Sequence, residues 1–262
     1  RTMPRRLALA AGDALGEAAW RSTRKSRRIA LDNLRHAFAG EKSRVEIARV
    51  ARSCFRTFGR SLMETLAAPA RSPEQLRALF DCPDTGPVDR ALERGKGVVL
   101  LGAHFGAWEV LGSWLGARFG RPFHAIGRRL NYAPYNDLLV ETRDRCGVTT
   151  VFQDKSPRRA LGILRDNKPL GVLADQDIRH LDGVFVDFFG RKALTPTAPA
   201  AMARASGAGL VPVLSTWSGN RHRVHILPEI EVVRTSDRRA DVVENTQRWT
   251  SALESLIRRY PT

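Results

Sequence analysis

The chain has 262 residues and a formal net charge of +16, from 43 basic and 27 acidic side chains. Its length suffices for a full hydrophobic core. Its three cysteines are an odd number and lack CxxC spacing, so they imply neither a disulfide framework nor a zinc site and favour a reducing compartment. Since no run of about 18 uncharged apolar residues occurs, the sequence predicts no membrane-spanning helix within the chain.

The positive charge is concentrated near the N-terminus. Residues 1–60 contain 15 Lys or Arg and five Asp or Glu, a net charge of +10. A basic field of this kind favours polyanions, namely nucleic acid, anionic lipid or an acidic carrier protein. Arg outnumbers Lys by 37 to 6, which indicates either bidentate phosphate binding or a compositional bias of the source genome.

Three amphipathic helices come first in the prediction, over Leu7–Trp20, Arg27–Phe38 and Arg44–Ala68. Apolar residues recur at helical spacing, and Arg fills the opposite face. Such helices either pack on a core or lie on a membrane. We expect residues 1–70 to form a basic, membrane-associating extension, and residues 71–262 to form an α/β core within the same structural unit.

Strand and helix patterns alternate along the rest of the chain. Strands or extended segments are predicted at Val98–Gly102, Phe123–Gly127, Val148–Phe152, Leu170–Ala174, Val184–Phe189, Leu210–Thr216 and Arg223–Pro228. Helices are predicted at Phe105–Arg118, Ala133–Arg145, Pro157–Asn167, Ala198–Ser206 and Ala240–Arg259. This alternation predicts an α/β fold with a mainly parallel central sheet flanked by helices. Ligands of such sheets bind beyond the carboxyl ends of the strands.

His104 lies at the end of the first of these strands, and Glu109 follows five residues later. The Glu109 carboxylate is predicted to reach back to the imidazole, fix its tautomer and stabilise the imidazolium. His104 is thus a candidate general base. No serine or cysteine adjoins it, so the expected proton donor is the substrate's own hydroxyl, attacking an activated acyl group directly. The competing interpretations are a helix-capping histidine and, less favoured because the spacing is not i, i+4, a metal ligand.

Asp175 and Gln176 follow the strand Leu170–Ala174. Because His104 and Asp175 both come at strand ends, the two are expected to face one cleft. There the Asp175 carboxylate could orient an arginine or a substrate hydroxyl. A turn or a helix cap explains it equally well.

Two further patterns are ambiguous. Arg129, which follows Arg128, and Arg143 could hold a phosphate, or could belong to a solvated helix face. The segment Gly183–Gly190 places five apolar side chains, two Val and three Phe, between two glycines, as in an acyl tunnel or a buried strand. No phosphate-binding glycine loop or RNA-stacking tyrosine surface is recognisable, which disfavours nucleic acid as a partner.

Several segments together resemble the bacterial lipid A biosynthesis acyltransferases. They are Ile29–Leu34, His104–Glu109 as an H-x4-D/E motif, Arg143 before Gly147, Ala174–Gln176 and Val184–Arg191. The resemblance covers nearly the whole chain. It implies that His104 is the base and Glu109 its partner, and that Arg143 and Asp175 bind substrate or organise the site; we add Arg129 and Gln176 as candidate binding residues.

The resemblance also implies the reaction and its setting. The expected activity is O-acyl transfer from acyl carrier protein to a hydroxyl of a lipid A precursor, at the cytoplasmic face of the bacterial inner membrane, without metal or organic cofactor. The partners expected are acyl carrier protein and an anionic membrane lipid, and no nucleic acid. The alternative is acyl-CoA-dependent acylation of phosphatidylinositol mannoside or another lysophospholipid-like acceptor. Members of the family begin with a spanning helix and end with an aromatic, basic segment, so we expect this chain to be truncated at both ends.

Overall fold

The computed structural model describes residues 3–119, 123–153, 157–176 and 183–262. Its ten α-helices within those residues are α1 (Arg5–Ser22), α2 (Arg24–Ala37), α3 (Arg44–Ala67), α4 (Pro73–Ala78), α5 (Gly86–Glu93), α6 (Trp108–Phe119), α7 (Ala133–Arg145), α8 (Pro157–Arg165), α9 (Ala198–Ser206) and α10 (Arg238–Arg259). The strands are β1 (Phe80–Asp81), β2 (Val98–Gly102), β3 (Phe123–Gly127), β4 (Val148–Phe152), β5 (Pro169–Leu173), β6 (Gly183–Phe188), β7 (Arg191–Pro196), β8 (Gly209–Ser218) and β9 (Arg221–Ile226).

Seven strands form the central sheet in the order β1-β9-β8-β2-β5-β3-β4. The five strands from β8 to β4 are mutually parallel, and β9 runs antiparallel to β8. Strands β6 and β7 form a separate antiparallel pair. The predicted fold, a mainly parallel sheet flanked by helices, is confirmed.

Both faces of the sheet are buried, as parallel sheets require. Side chains alternate along β2, so that Val99 and Leu101 pack with α8, α9 and α10, while Val98 and Leu100 pack with α5 and α6. Strand β2 is therefore apolar along its length.

The N-terminal helices pack by close backbone contact. Helix α3 begins with a capping box in which Ser43 and Glu46 bond each other's main-chain N–H groups. Gly12 and Gly59 allow α1 and α3 to cross closely, since a Cβ at Gly59 would lie 2.1 Å from the carbonyl oxygen of Gly12. Among the described residues, no helix is both long and apolar enough to cross a membrane.

A buried charge cluster joins these helices to the sheet. Glu64 of α3 and His222 of β9 are fully buried and 2.6 Å apart, and Arg5 donates from Nε to the same carboxylate at 2.7 Å. Burial raises the pKa of Glu64, but hydrogen bonding to His222 and the charges of His222 and Arg5 outweigh it, so the pKa lies below its ordinary value. The ionised carboxylate therefore stabilises the folded chain.

We expect Glu64→Gln to destabilise the protein by about 3–5 kcal/mol at pH 7, because removing one member of a buried pair leaves the others uncompensated. Since the folded pKa is depressed, the carboxylate's contribution is complete above its ordinary pKa of 4.5 and is lost as pH falls through the lower folded value. In thermal unfolding experiments from pH 7 to pH 3, the difference in stability between the variant and the wild type should become smaller as the pH falls. Glu244→Gln, which removes an exposed partner of Arg248, is the control and should cost about 1 kcal/mol or less. A gap that stays constant upon acidification would contradict this role of Glu64.

Several elements differ from the prediction. Helices α4 and α5 and the two-residue strand β1 are not among the predicted elements, and α6 and β7 also differ. Helix α6 begins at Trp108 rather than Phe105, because Gly106 has a positive φ of 59° that a helix cannot contain. Strand β7 was not predicted. It pairs with β6 through a tight turn at Phe189 and Gly190, which both have positive φ.

Candidate active site

His104 lies in the loop between β2 and α6, at the carboxyl edge of the sheet. The loop turns sharply because Gly106 packs against β8, where a Cβ would lie 2.1 Å from the carbonyl oxygen of Ser215. The hydroxyl of Ser61 in α3 donates to the carbonyl oxygen of Gly106 at 2.8 Å and secures the turn from the other side. The imidazole is left exposed, with about a third of its side-chain surface open to solvent.

Asp175 holds His104 by two contacts. Its Oδ1 lies 2.9 Å from His104 Nδ1, and its Oδ2 accepts the main-chain N–H of His104 at 2.9 Å. The sheet register explains this, since Gly102 of β2 pairs with Leu173 of β5 and each side chain follows two residues later. A carboxylate only accepts hydrogen bonds, so Nδ1 carries the proton and Nε2 is the basic nitrogen.

Glu109 makes a different contact from the predicted one. It lies in the first turn of α6 and binds Arg143 of α7 in a fork, with Nε–Oε2 at 2.9 Å and Nη2–Oε1 at 2.5 Å. Both side chains are mostly buried, and Arg143 also lies 3.5 Å from Thr150 Oγ1. The carboxylate that reaches the imidazole is therefore that of Asp175. Because α6 begins at Trp108, Glu109 belongs to the helix, and its side chain contacts Arg143 of α7.

The structure thus forms two ion pairs, His104–Asp175 and Glu109–Arg143, at one edge of the sheet. The expectation that His104 and Asp175 face one cleft agrees with the contact between them. The arginine of this edge, Arg143, is oriented by Glu109, while Asp175 contacts His104. The catalytic role of His104 and Glu109, and the binding roles of Arg143 and Asp175, remain predictions.

The other two predicted binding residues, Arg129 and Gln176, are not members of these ion pairs. Arg129 is exposed, and its guanidinium lies 4.0 Å from the ring centroid of Phe152, a cation–π contact. Gln176 is exposed and follows Asp175 directly. Their roles in binding a phosphate or a hydroxyl remain predictions.

Two apolar cavities adjoin this edge. One, of about 70 Å³, lies under the Glu109–Arg143 pair and is lined by Trp108 and Leu111. The other, of about 430 Å³, lies between α8 and α9, and its lining includes Ala174, the residue before Asp175. The larger volume falls within the roughly 300–1,000 Å³ typical of ligand pockets. Neither cavity is lined by the segment 184–189, which forms β6, with Val186 buried and Phe185 exposed.

A family model, bacterial lipid A biosynthesis acyltransferase, matches residues 1–262. The chain belongs to this family of acyltransferases. Its similarity to a phosphatidylinositol mannoside acyltransferase of Mycolicibacterium smegmatis is 30% identity over 214 residues, covering 80% of this chain and 68% of that protein. A lipid A biosynthesis palmitoleoyltransferase of Escherichia coli K12 is 27% identical over 243 residues, covering 89% and 76%.

Other relatives match this acyltransferase over a smaller share of their own length. A lipid A biosynthesis myristoyltransferase of Escherichia coli K12 is 26% identical over 216 residues, which cover 81% of the chain and 65% of that protein. The relatives thus fall into two groups whose names give different acceptors, lipid A and phosphatidylinositol mannoside. The class of reaction is common to both groups.

Sequence reasoning about this acyltransferase missed the aromatic residues beside His104. The Trp108 ring lies edge-on to the His104 imidazole, with centroids 5.5 Å apart, and Phe58 of α3 lies 5.9 Å from Trp108. Trp108 lies within the His104–Glu109 motif, where the sequence pattern indicates only that it belongs to a helix. The Phe58 contact spans 50 positions, and no local spacing indicates it.

Arg143→Lys tests the Glu109–Arg143 fork. Lys keeps the charge but cannot make two parallel hydrogen bonds, so the first turn of α6 next to His104 loses its fixed position. We expect kcat/KM for acyl transfer to fall about 10²-fold, the scale of a misplaced reacting group. The control is Arg145→Lys, in an exposed pair with Glu141 on the same helix, which should stay within about twofold. Near-normal turnover by Arg143→Lys would show that catalysis does not need the fork between Arg143 and Glu109.

Proposed function

We propose that the chain transfers a fatty acyl group from acyl carrier protein to a hydroxyl of a phosphorylated glycolipid, a lipid A precursor. The observation that carries this proposal is the exposed imidazole of His104, held through Nδ1 by Asp175 at the carboxyl edge of the sheet, beside an apolar cavity of about 430 Å³. A positioned base and a space for a hydrocarbon chain are what acyl transfer to an alcohol requires.

In this mechanism Nε2 of His104 removes the proton of the acceptor hydroxyl as its oxygen attacks the thioester carbonyl. The new C–O bond forms, the C–S bond breaks, and the imidazolium returns the proton to the leaving thiolate. Asp175 stabilises the imidazolium between these steps. No covalent acyl-enzyme and no metal or organic cofactor takes part.

The developing oxyanion needs hydrogen-bond donors close to His104. The main-chain N–H of His104 already donates to Asp175, and that of Phe105 donates to the carbonyl oxygen of Ala103 at 2.7 Å. The first N–H groups of a helix have no partners within the helix. We therefore assign the oxyanion to the start of α6, at Trp108 and Glu109.

The donor chain is assigned to the cavity between α8 and α9. Ala198, Ala201 and Ala205 of α9 contribute to its lining, and their small side chains leave the space open. Ala201→Phe should shorten it. We expect the kcat/KM for a long-chain donor to fall about tenfold relative to a shorter one, because about two methylenes lose their burial. Competition between thioesters of different chain length measures this ratio, and an unchanged ratio would place the donor chain elsewhere.

The net charge of the chain supports the proposed location and partners. A chain of +16 attracts both the acidic carrier and anionic head groups, in keeping with the cytoplasmic face of the bacterial inner membrane. Acylation of phosphatidylinositol mannoside from acyl-CoA is the second candidate. The 30% identity to the Mycolicibacterium smegmatis enzyme favours it.

A two-by-two assay separates the candidates. Purified protein is given acyl carrier thioester or acyl-CoA, each with a lipid A precursor or with phosphatidylinositol mannoside, and the products are weighed by mass spectrometry. We expect turnover with the carrier thioester and the lipid A precursor, weakening as salt rises. Turnover with the mannoside alone would favour the second candidate. Without acyl transfer to either acceptor, both would be wrong.

A further inference from the structure

A further apolar groove lies among the N-terminal helices. This helical groove, of about 630 Å³, is formed by α1, α2 and α3 and includes Leu15, Ile29, Phe58 and Leu62 in its lining. These four side chains are between 40% and 57% exposed. A contiguous set of exposed large apolar residues marks a place where an apolar partner binds.

The helical groove leads to the catalytic histidine. Phe58, in its lining, lies 5.9 Å from the ring of Trp108, and Trp108 lies 5.5 Å from the ring of His104. The rings of Phe58 and Trp108 therefore connect the groove lining on α3 to His104. A molecule lying in the groove would have one end at the imidazole.

The charge next to the groove selects the kind of molecule. Helix α2, which forms one wall, carries five basic residues and one acidic residue, a net charge of +4. Lys25 precedes the lining residue Ser26 and is exposed. No described carboxylate forms an ion pair with Lys25. An apolar groove beside unpaired positive charge suits a hydrocarbon chain with an anionic head group.

We propose that the helical groove binds a hydrocarbon chain of the anionic acceptor lipid, and so presents the acceptor hydroxyl to His104. This assignment rests on the proposed function. Buried core residues, among them Val172, Ala174 and Met202, contribute to the lining of the cavity between α8 and α9, which suits a chain delivered from solution on a carrier. Large exposed apolar side chains contribute to the lining of the helical groove, which suits a chain that belongs to a lipid in a bilayer. In this arrangement one chain approaches His104 from the Asp175 side and the other from the Trp108 side.

Photo-crosslinking locates the chain directly. The probe is lysophosphatidylglycerol with a diazirine in its single acyl chain, used as a monomer with the full chain. Peptide mapping is expected to place the adducts on the stretches of α1, α2 and α3 that line the groove. Adducts confined to α8 and α9, or spread over the surface without preference, would overturn the assignment.

A matched pair of variants tests the same point without cross-linking. Ala19 lines the groove, whereas its neighbour Ala18 is exposed and lies outside it. Ala19→Phe should weaken binding of the probe and raise the KM for the acceptor about tenfold, with the KM for the thioester donor unchanged. Ala18→Phe should change neither, and equal effects of the two variants would refute the proposal. If wild-type protein gives groove adducts but transfers no acyl group, the proposed function is wrong while the lipid-binding groove stands.

Discussion

His104→Ala should abolish acyl transfer without unfolding the protein. The imidazole is exposed beyond the end of β2, so its removal leaves no cavity in the core. Loss of a general base typically lowers the rate by about 10² to 10⁴-fold. We expect the loss in kcat, measured with saturating donor and acceptor, together with an unchanged thermal unfolding midpoint.

The control for this variant is His36→Ala. His36 bonds the carbonyl oxygen of Phe189 at 3.0 Å and takes no part in the proposed chemistry. Its replacement should leave turnover within about twofold of wild type, the scale of a lost surface contact. More than half of the wild-type rate remaining in His104→Ala would rule out His104 as the base.

Asp175→Asn should lower activity nearly as much as loss of the base. The amide keeps the size of the side chain but removes the charge that stabilises the imidazolium, and it can present an N–H to Nδ1 and so favour the wrong tautomer. We expect kcat to fall about 10² to 10⁴-fold, with the KM for either substrate little changed. The control is Asp187→Asn, an exposed partner of Lys192, which should be neutral.

Comparison with Glu109→Gln decides which carboxylate serves the histidine. If the observed contacts govern catalysis, Glu109→Gln acts through Arg143 and costs less than Asp175→Asn. If Asp175→Asn retained activity and Glu109→Gln lost it, Glu109 would be the partner of His104 during turnover, as the sequence alone predicts. Rates of both single variants and of the double variant, at one pH and salt concentration, separate these cases.

Local pattern was sufficient to predict most of the fold. The bounds of β2, β3, β4, α7 and α9 agree with the structure, because each is a compact apolar or amphipathic segment ended by glycine, proline or a polar loop. Two of the errors occur where an unusual backbone conformation decides the outcome. Gly106 delays the start of α6, and the Phe189–Gly190 turn creates the unpredicted strand β7.

The candidate site was predicted less completely than the fold. Strand-end placement brought His104 and Asp175 to one edge, since this depends only on strand direction. The pairing of side chains depends on the register between β2 and β5 and on where α6 begins, neither of which sequence spacing contains. For this reason the sequence predicts Glu109 as the partner of His104 and gives no single partner for Asp175.

The contact between His104 and Asp175 links positions 71 residues apart in the chain, across two neighbouring strands. The chain between them includes α6, β3, α7, β4 and α8. This intervening chain must lose conformational freedom when β5 pairs with β2. Long-range strand pairing of this kind is slow, because the intervening chain loses its freedom before the contact forms. Recovery of enzyme activity after dilution from denaturant therefore cannot precede the pairing of β2 with β5.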